Sequence, residues 1–352
     1  MSRTWCPWRF ALILVLAAAP ATVRHARAAT LPNLYTVTVA RDPAAADQRQ
    51  AAEEAAMAKL LVRVTGSRDA YLDPALQGLV TEPREYLTSY GLDLQGRALV
   101  GFSRARIEQA LTNLNQPVWG PERPLTLLWV AVDDGAGGRA VLGADEASDR
   151  APELGADMSA LLGTVRSELL AVADERGLPI ALPLLDLQDL GAVEFADIWG
   201  GFEDRVLAAS QRYRADAVLI GRVRPGIVGT AVDWLFVSGV ERQGVPGAAI
   251  RDGLDAAADR YAADLRTVGA AGITSMTVRN VHTAADYGRV LGYLERQSVI
   301  ETVDVEELEG DTLRLRVAAR GDARVLSRVL ALGGVLRPAA ASFDGAPLAF
   351  EV

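Results

Sequence analysis

Two aspartates, an indole and a guanidinium give this chain its best claim to chemistry. Asp186 follows Leu178-Pro-Ile-Ala-Leu-Pro-Leu-Leu185, at what should be the carboxyl end of a strand, where open α/β sheets place their ligands. Asp197 and Trp199 come shortly after, on a loop or early helix turn, and Arg222 lies in the next strand-like run, 217–223. Two carboxylates near one sheet edge suit general acid–base work when their surroundings push their pKa values apart. The indole would floor such a pocket. The competing account is structural: Asp186 caps or turns the chain, and Trp199 fills core.

Other chemistries are excluded by what the chain lacks. Lys59 is its single lysine, so no G-x-x-x-x-G-K-[ST] phosphate loop exists. Gly135-Ala-Gly-Gly138 is followed by a strand-like segment rather than a helix, which reads as a hairpin turn and not a dinucleotide site. Beyond residue 28 there is no cysteine and one histidine, His282, at the start of an expected helix. A thiol nucleophile and a two-histidine zinc site are therefore excluded, and His282 reads as a helix-start or surface residue. Asp133-Asp134 lacks the ligand spacing of a calcium loop and reads as turn chemistry. No cofactor or metal is expected.

The elements that must position these residues fall into three units: 29–117, 118–270 and 271–352. In the first, 34–40 alternates as a strand, and Asp42-Pro43 should open a helix with Ala56, Met57, Leu60, Leu61 and Val64 on one side. Glu53, Glu54, Lys59 and Arg63 lie largely outside that stripe, and Gly66 stops it. A hairpin is expected over 86–94 and 98–102, then a helix after Ser103. In the second unit, Leu125–Val132 is a continuous apolar run, the mark of a strand buried on both faces. Helices are expected over 156–175, 192–213 and 254–268, alternating with strands. The last unit reads β-α-β-β-α with a closing strand, a ferredoxin-like order. The fold class is thus multi-domain α/β and α+β, with mixed sheets.

Residues 1–28 have the layout of a secretory signal: Arg3 and Arg9, an apolar run from Phe10 to Ala19, and small residues at Ala26-Arg27-Ala28. Cleavage is expected after Ala28, with Ala21 the alternative. Cys6 precedes the apolar run and is no lipoprotein acceptor. The chain has 36 basic against 45 acidic residues; four of the basic ones leave with the signal, deepening the negative balance. Such a charge repels a phosphate backbone, so nucleic acid is not an expected partner.

Several phrases resemble an uncharacterised Gram-negative envelope family, domain of unknown function 2066. They are Leu60-Leu-Val-Arg-Val-Thr-Gly66, Pro117-Val-Trp-Gly120 with Arg123-Pro124, and Arg176-Gly-Leu-Pro-Ile-Ala-Leu-Pro183. Asp197-Ile-Trp199, Arg212-Tyr213 and Asp216-Ala-Val-Leu-Ile-Gly-Arg222 also match. The middle unit is similar to the TolB N-terminal domain and to penicillin-binding-protein activator lipoproteins. These resemblances imply the envelope and supply no catalytic residues. The expectation is a soluble periplasmic, non-catalytic protein that binds a protein partner in the envelope, with no transmembrane segment after processing. The alternatives are a carboxylate hydrolase of envelope glycan or peptide using Asp186 and Asp197, or a small-ligand binder in the same cleft.

Overall fold

The computed structural model describes residues 29–31, 33–145, 154–226, 229–266, 272–297, 299–319, 323–339 and 348–352. The expected export signal and its cleavage points lie outside the described residues.

The N-terminal domain is a three-stranded antiparallel sheet backed by helices. Its elements are β1 (Ala29–Thr30), β2 (Thr36–Val39), α1 (Gln48–Thr65), α2 (Gln77–Thr81), β3 (Leu87–Leu92), β4 (Ala98–Phe102) and α3 (Arg104–Asn113). The sheet order is β2-β4-β3, and β1 pairs instead with β5 (Glu122–Arg123) in the linker. Helix α1 starts at Asp47, not at Asp42-Pro43: the Asp47 carboxylate accepts from the Arg49 and Gln50 amides, while Asp42 closes a turn onto Ala44. All five residues of its expected stripe are buried. So are Glu53 and Arg63, which the periodicity placed outside it. Glu53 is buried because Arg49 and Arg84 both reach its carboxylate.

The middle domain has three layers. Its elements are β6 (Thr126–Asp133), β7 (Arg139–Val141), α4 (Gly155–Arg176), β8 (Ile180–Ala181), α5 (Leu187–Ala192), α6 (Phe195–Gly200), α7 (Glu203–Ser210), β9 (Ala217–Pro225), β10 (Thr230–Ser238), β11 (Glu241–Val245) and α8 (Ile250–Arg266). The mixed sheet runs β11-β10-β9-β6-β7, with β8 beside the start of β6. Strand β6 explains its own sequence. Leu128, Val130 and Val132 face the core under α4 and α8, while Leu127, Trp129 and Ala131 face the core under α5–α7. The single helix expected over 192–213 is two short helices, α6 and α7, and a 3₁₀ turn, 211–213. Gly200 and Gly201 break it, Gly201 taking the left-handed conformation (φ 76°) that ends α6.

The C-terminal domain comprises β12 (Gly272–Arg279), α9 (Ala284–Leu294), β13 (Ile300–Glu309), β14 (Thr312–Ala319), α10 (Ala323–Leu332), β15 (Arg337–Pro338) and β16 (Leu348–Glu351). Sheet order β13-β14-β12-β16-β15 gives the split β-α-β of the ferredoxin-like plan, with β14 antiparallel between β12 and β13. The strand closing against β12 is β16, and it runs parallel to β12. Strand β15 follows α10 but stays at the rim, since it is two exposed residues, one a proline. Leu348 and Phe350 of β16 supply the inward side chains that the slot beside β12 needs.

The first two domains meet where α1 and α4 both end. Each helix stops at a glycine in the left-handed region, Gly66 (φ 69°) and Gly177 (φ 61°). A Cβ at Gly66 would come within 2.5 Å of Ala262 Cβ, and one at Gly177 within 2.7 Å of the Arg123 guanidinium. The last carbonyls of a helix have no partner within it and carry a negative partial charge. Here buried guanidinium groups answer them. Arg123 donates to Arg63 O (2.8 Å), Trp119 O (3.0 Å), Gly120 O (3.0 Å), Arg176 O (3.3 Å) and Gly177 O (2.8 Å). Its cation also lies 4.1 Å over the Trp119 ring. Arg176, fully buried, donates to Gly66 O (3.0 Å) and to Asp255 (2.8 Å) and Asp259 (2.6 Å) of α8. Arg63 reaches Asp174 and Thr36 O. Burial pushes the Arg123 guanidinium down to about 9, so it stays charged at neutral pH.

Candidate functional site

The expected site residues all lie on or beside the α5–α7 layer. None of these helices exceeds eight residues, too short to stand alone. Side-chain bonds fix them instead.

Asp186 is the N-cap of α5, accepting from the Gln188 (3.1 Å) and Asp189 (3.0 Å) amides. The Arg212 guanidinium grips the same carboxylate with two bonds of 2.7 Å and adds a third, 2.8 Å, to Asp189. The guanidinium and those amides hold the Asp186 carboxyl well below the usual carboxylate range. Asp189 is buried and also accepts from the Leu185 amide (3.0 Å) and the Tyr213 hydroxyl. That hydroxyl in turn accepts from the Leu184 amide (2.8 Å), and burial together with Asp189 pushes Tyr213 up to about 12. These bonds hold Leu185 in the left-handed region (φ 51°), a conformation an unconstrained leucine avoids.

Asp197 sits one helix further on. Within α6 it accepts from the Glu194 amide (2.9 Å) and pairs with Arg205 (2.9 Å); the amide bond is the main reason its pKa is lowered. Trp199 stacks on Phe195, ring centroids 5.2 Å apart, and is half-buried. Arg222 donates from Nε to Ile198 O (3.0 Å), tying α6 to β9. Thus Asp197, Trp199 and Arg222 gather around α6, while Asp186 belongs to a separate bracket with Asp189, Arg212 and Tyr213.

Each aspartate is held ionised by backbone N–H donation, from two amides at Asp186 and one at Asp197, and by its own arginine. Neither is a proton donor near neutral pH, and the acid half of an acid–base pair is missing from these two groups. Asp189, Arg212 and Tyr213 are the residues sequence reasoning did not single out as a site. The signal was there in the Asp186-x-x-Asp189 spacing, which puts two carboxylates at the start of one helix.

What the bracket presents outward is apolar. Leu184 and Leu190 are more than half exposed and Leu187 is 91% exposed. Beside them, between α5 and α7, lies an open groove of about 450 Å³, lined by Ala192, Ala208 and Ala209 with Arg205 and Arg212. Elsewhere, Asp133 and Asp134 accept amides of their own turn and His282 is exposed. No cluster of potential metal ligands occurs among the described residues, and no helix among them is long and apolar enough to cross a membrane.

A family described as Domain of unknown function (DUF8605) matches residues 28–120, the N-terminal domain and the start of the linker. This corrects the sequence resemblance: the uncharacterised family matched is not domain of unknown function 2066. No curated protein and no solved structure matches the chain. The chain thus carries an uncharacterised N-terminal domain, and the α5–α7 layer lies beyond it.

Proposed function

We propose that this is a non-catalytic protein of the bacterial envelope, exported to the periplasm, whose α5–α7 layer docks an apolar segment of a partner protein. The observation that carries the reading is the exposure of Leu184, Leu187 and Leu190 on a rigid support. Exposed leucines on a mobile loop would collapse onto the nearest surface. These are held out by the Asp186–Arg212–Asp189–Tyr213 bracket, so their ordering cost is met before a partner arrives. The groove alongside, lined by three alanines together with Gln188, Asp189, Arg205, Gln211 and Arg212, gives an inserting side chain somewhere to go. Export rests on the layout of residues 1–28.

A photo-crosslinking residue at Leu187, compared with one at the similarly exposed Val240 in the β10–β11 turn, tests this in intact cells. A partner adduct at position 187 alone, lost when Leu190→Asp is added, is the expected result. Equal labelling at both positions, or labelling indifferent to Leu190→Asp, sinks the docking face. Turnover of envelope glycan or peptide by the purified protein, abolished by Asp186→Asn, would instead establish the hydrolase. Recovery of the chain only with cytoplasmic contents would remove the periplasmic assignment.

A further inference from the structure

Three sheet edges in the described residues are longer than four residues, and two of them are guarded. Strand β13 carries Glu301, Asp304, Glu306, Glu307 and Glu309 and is interrupted by two irregularities in register. Strand β11 opens with Glu241 and Arg242, both in ion pairs. Charges and bulges of this kind stop an edge from pairing with another chain. Strand β3, Leu-Thr-Ser-Tyr-Gly-Leu, has neither charge nor proline, and its one irregularity in register, between Leu87 and Ser89, lies before the stretch 90–92. Its sheet's other edge is closed: the outward carbonyls of Thr36 and Thr38 on β2 accept from Arg63 and Lys59.

The ladder tells which β3 groups face outward. The Asp93 amide donates to Arg97 O at the hairpin end, and the Phe102 amide donates to Tyr35 O across β4. Alternation from both ends leaves the N–H and C=O of Tyr90 and Leu92 pointing away from β4. Among the described residues, no group outside β4 bonds to them. We infer that β3 is an interface for a second copy of this chain, paired antiparallel to itself about a two-fold axis at Gly91. In that register Tyr90 of each copy faces Leu92 of the other, and the two pairs exchange four main-chain hydrogen bonds.

Four observations fit this occupant. Gly91 falls at the axis, in a pair without hydrogen bonds, where Cα atoms approach to about 4.5 Å and a side chain would crowd its own symmetry mate. Leu92, half exposed, meets the apolar ring of the second copy's Tyr90, and the fully exposed Leu94 lies just beyond. Asp93 falls opposite Ser89, so no like charges face each other. Finally, residues 29–117 hold nine basic and ten acidic residues, whereas 118–352 hold 23 and 35. Two copies therefore meet through the nearly neutral domain and keep their acidic domains apart. The pairing would join both N-terminal sheets into one of six strands.

Gly91 also supplies the test, because a Cβ there meets nothing within 4 Å in the single chain. Sedimentation of the purified chain should show a monomer–dimer equilibrium. Gly91→Lys and Gly91→Asp should each weaken it on the order of tenfold or more by setting like charges at the axis. Mixing the two variants in equal amounts should restore the dimer as a heterodimer. In the wild type, hydrogen exchange at the Tyr90 and Leu92 amides should slow as concentration rises. A chain that stays monomeric at every concentration overturns the proposal. So does a dimer that survives both substitutions unchanged, a mixture that recovers nothing, or exchange at Tyr90 and Leu92 that ignores concentration.

Discussion

Two junctions join the three domains, and they are built on opposite plans. Between the N-terminal and middle domains, Arg63, Arg123 and Arg176 are buried and between them donate to five main-chain carbonyls at the ends of α1 and α4. At the C-terminal domain, Gln297 donates to Glu122 of β5 (2.9 Å), and no buried guanidinium crosses there among the described residues. The first junction completes helices; the second ties together parts that are already complete. A seam that supplies missing hydrogen bonds makes its two sides one cooperative unit, because neither side is satisfied alone. A tether makes no such demand.

This contrast breaks or holds on three measurements. The largest effect is expected for Arg123→Met, which keeps some apolar volume but leaves five carbonyls without their donor. A loss of about 3–5 kcal/mol is expected, read in urea as one shared transition of the first two domains moving to lower concentration. A loss below about 1 kcal/mol would mean that water replaces the guanidinium and the seam is a tether too. Next comes Leu294→Ala in α9, a side chain with no exposed surface. It should cost about 2–5 kcal/mol and shift only the transition of the C-terminal domain. Movement of both transitions together would erase the contrast. The smallest effect belongs to Gln297→Ala, about 0.5–1.5 kcal/mol for one hydrogen bond, with the urea midpoint of the first two domains unmoved.

Much of the fold was legible because burial on one face or two leaves a period. The α1 stripe, the doubly buried β6 and the alternation of Leu313, Leu315 and Val317 in β14 are of that kind. What periodicity could not show is a charged group taken inside by a distant partner. Glu53 and Arg63 look like surface residues of α1, yet their partners Arg84 and Asp174 stand 31 and 111 residues away. The same limit hid the site's true organisation. Asp186 was visible as a cap, but the grip of Arg212 depends on the chain returning after α7. The break of 192–213 into separate helices was missed because its apolar residues continue on a helical spacing across Gly200-Gly201. The phrases that suggested a family resemblance have a physical reading as well. Arg63, Gly66, Trp119, Gly120, Arg123, Arg176 and Gly177 are the donors and acceptors of the seam.

The seam also sets an order of events for the folding chain. The Gly66 carbonyl waits for Arg176, 110 residues later, and the Arg63 carbonyl for Arg123, 60 residues later. Loops of that length must close before the end of α1 is satisfied, and non-local closure slows folding. The N-terminal domain, though first to be made, should therefore be among the last to lock. Such a delay leaves the end of α1 exposed to water until the chain has been made as far as Arg176.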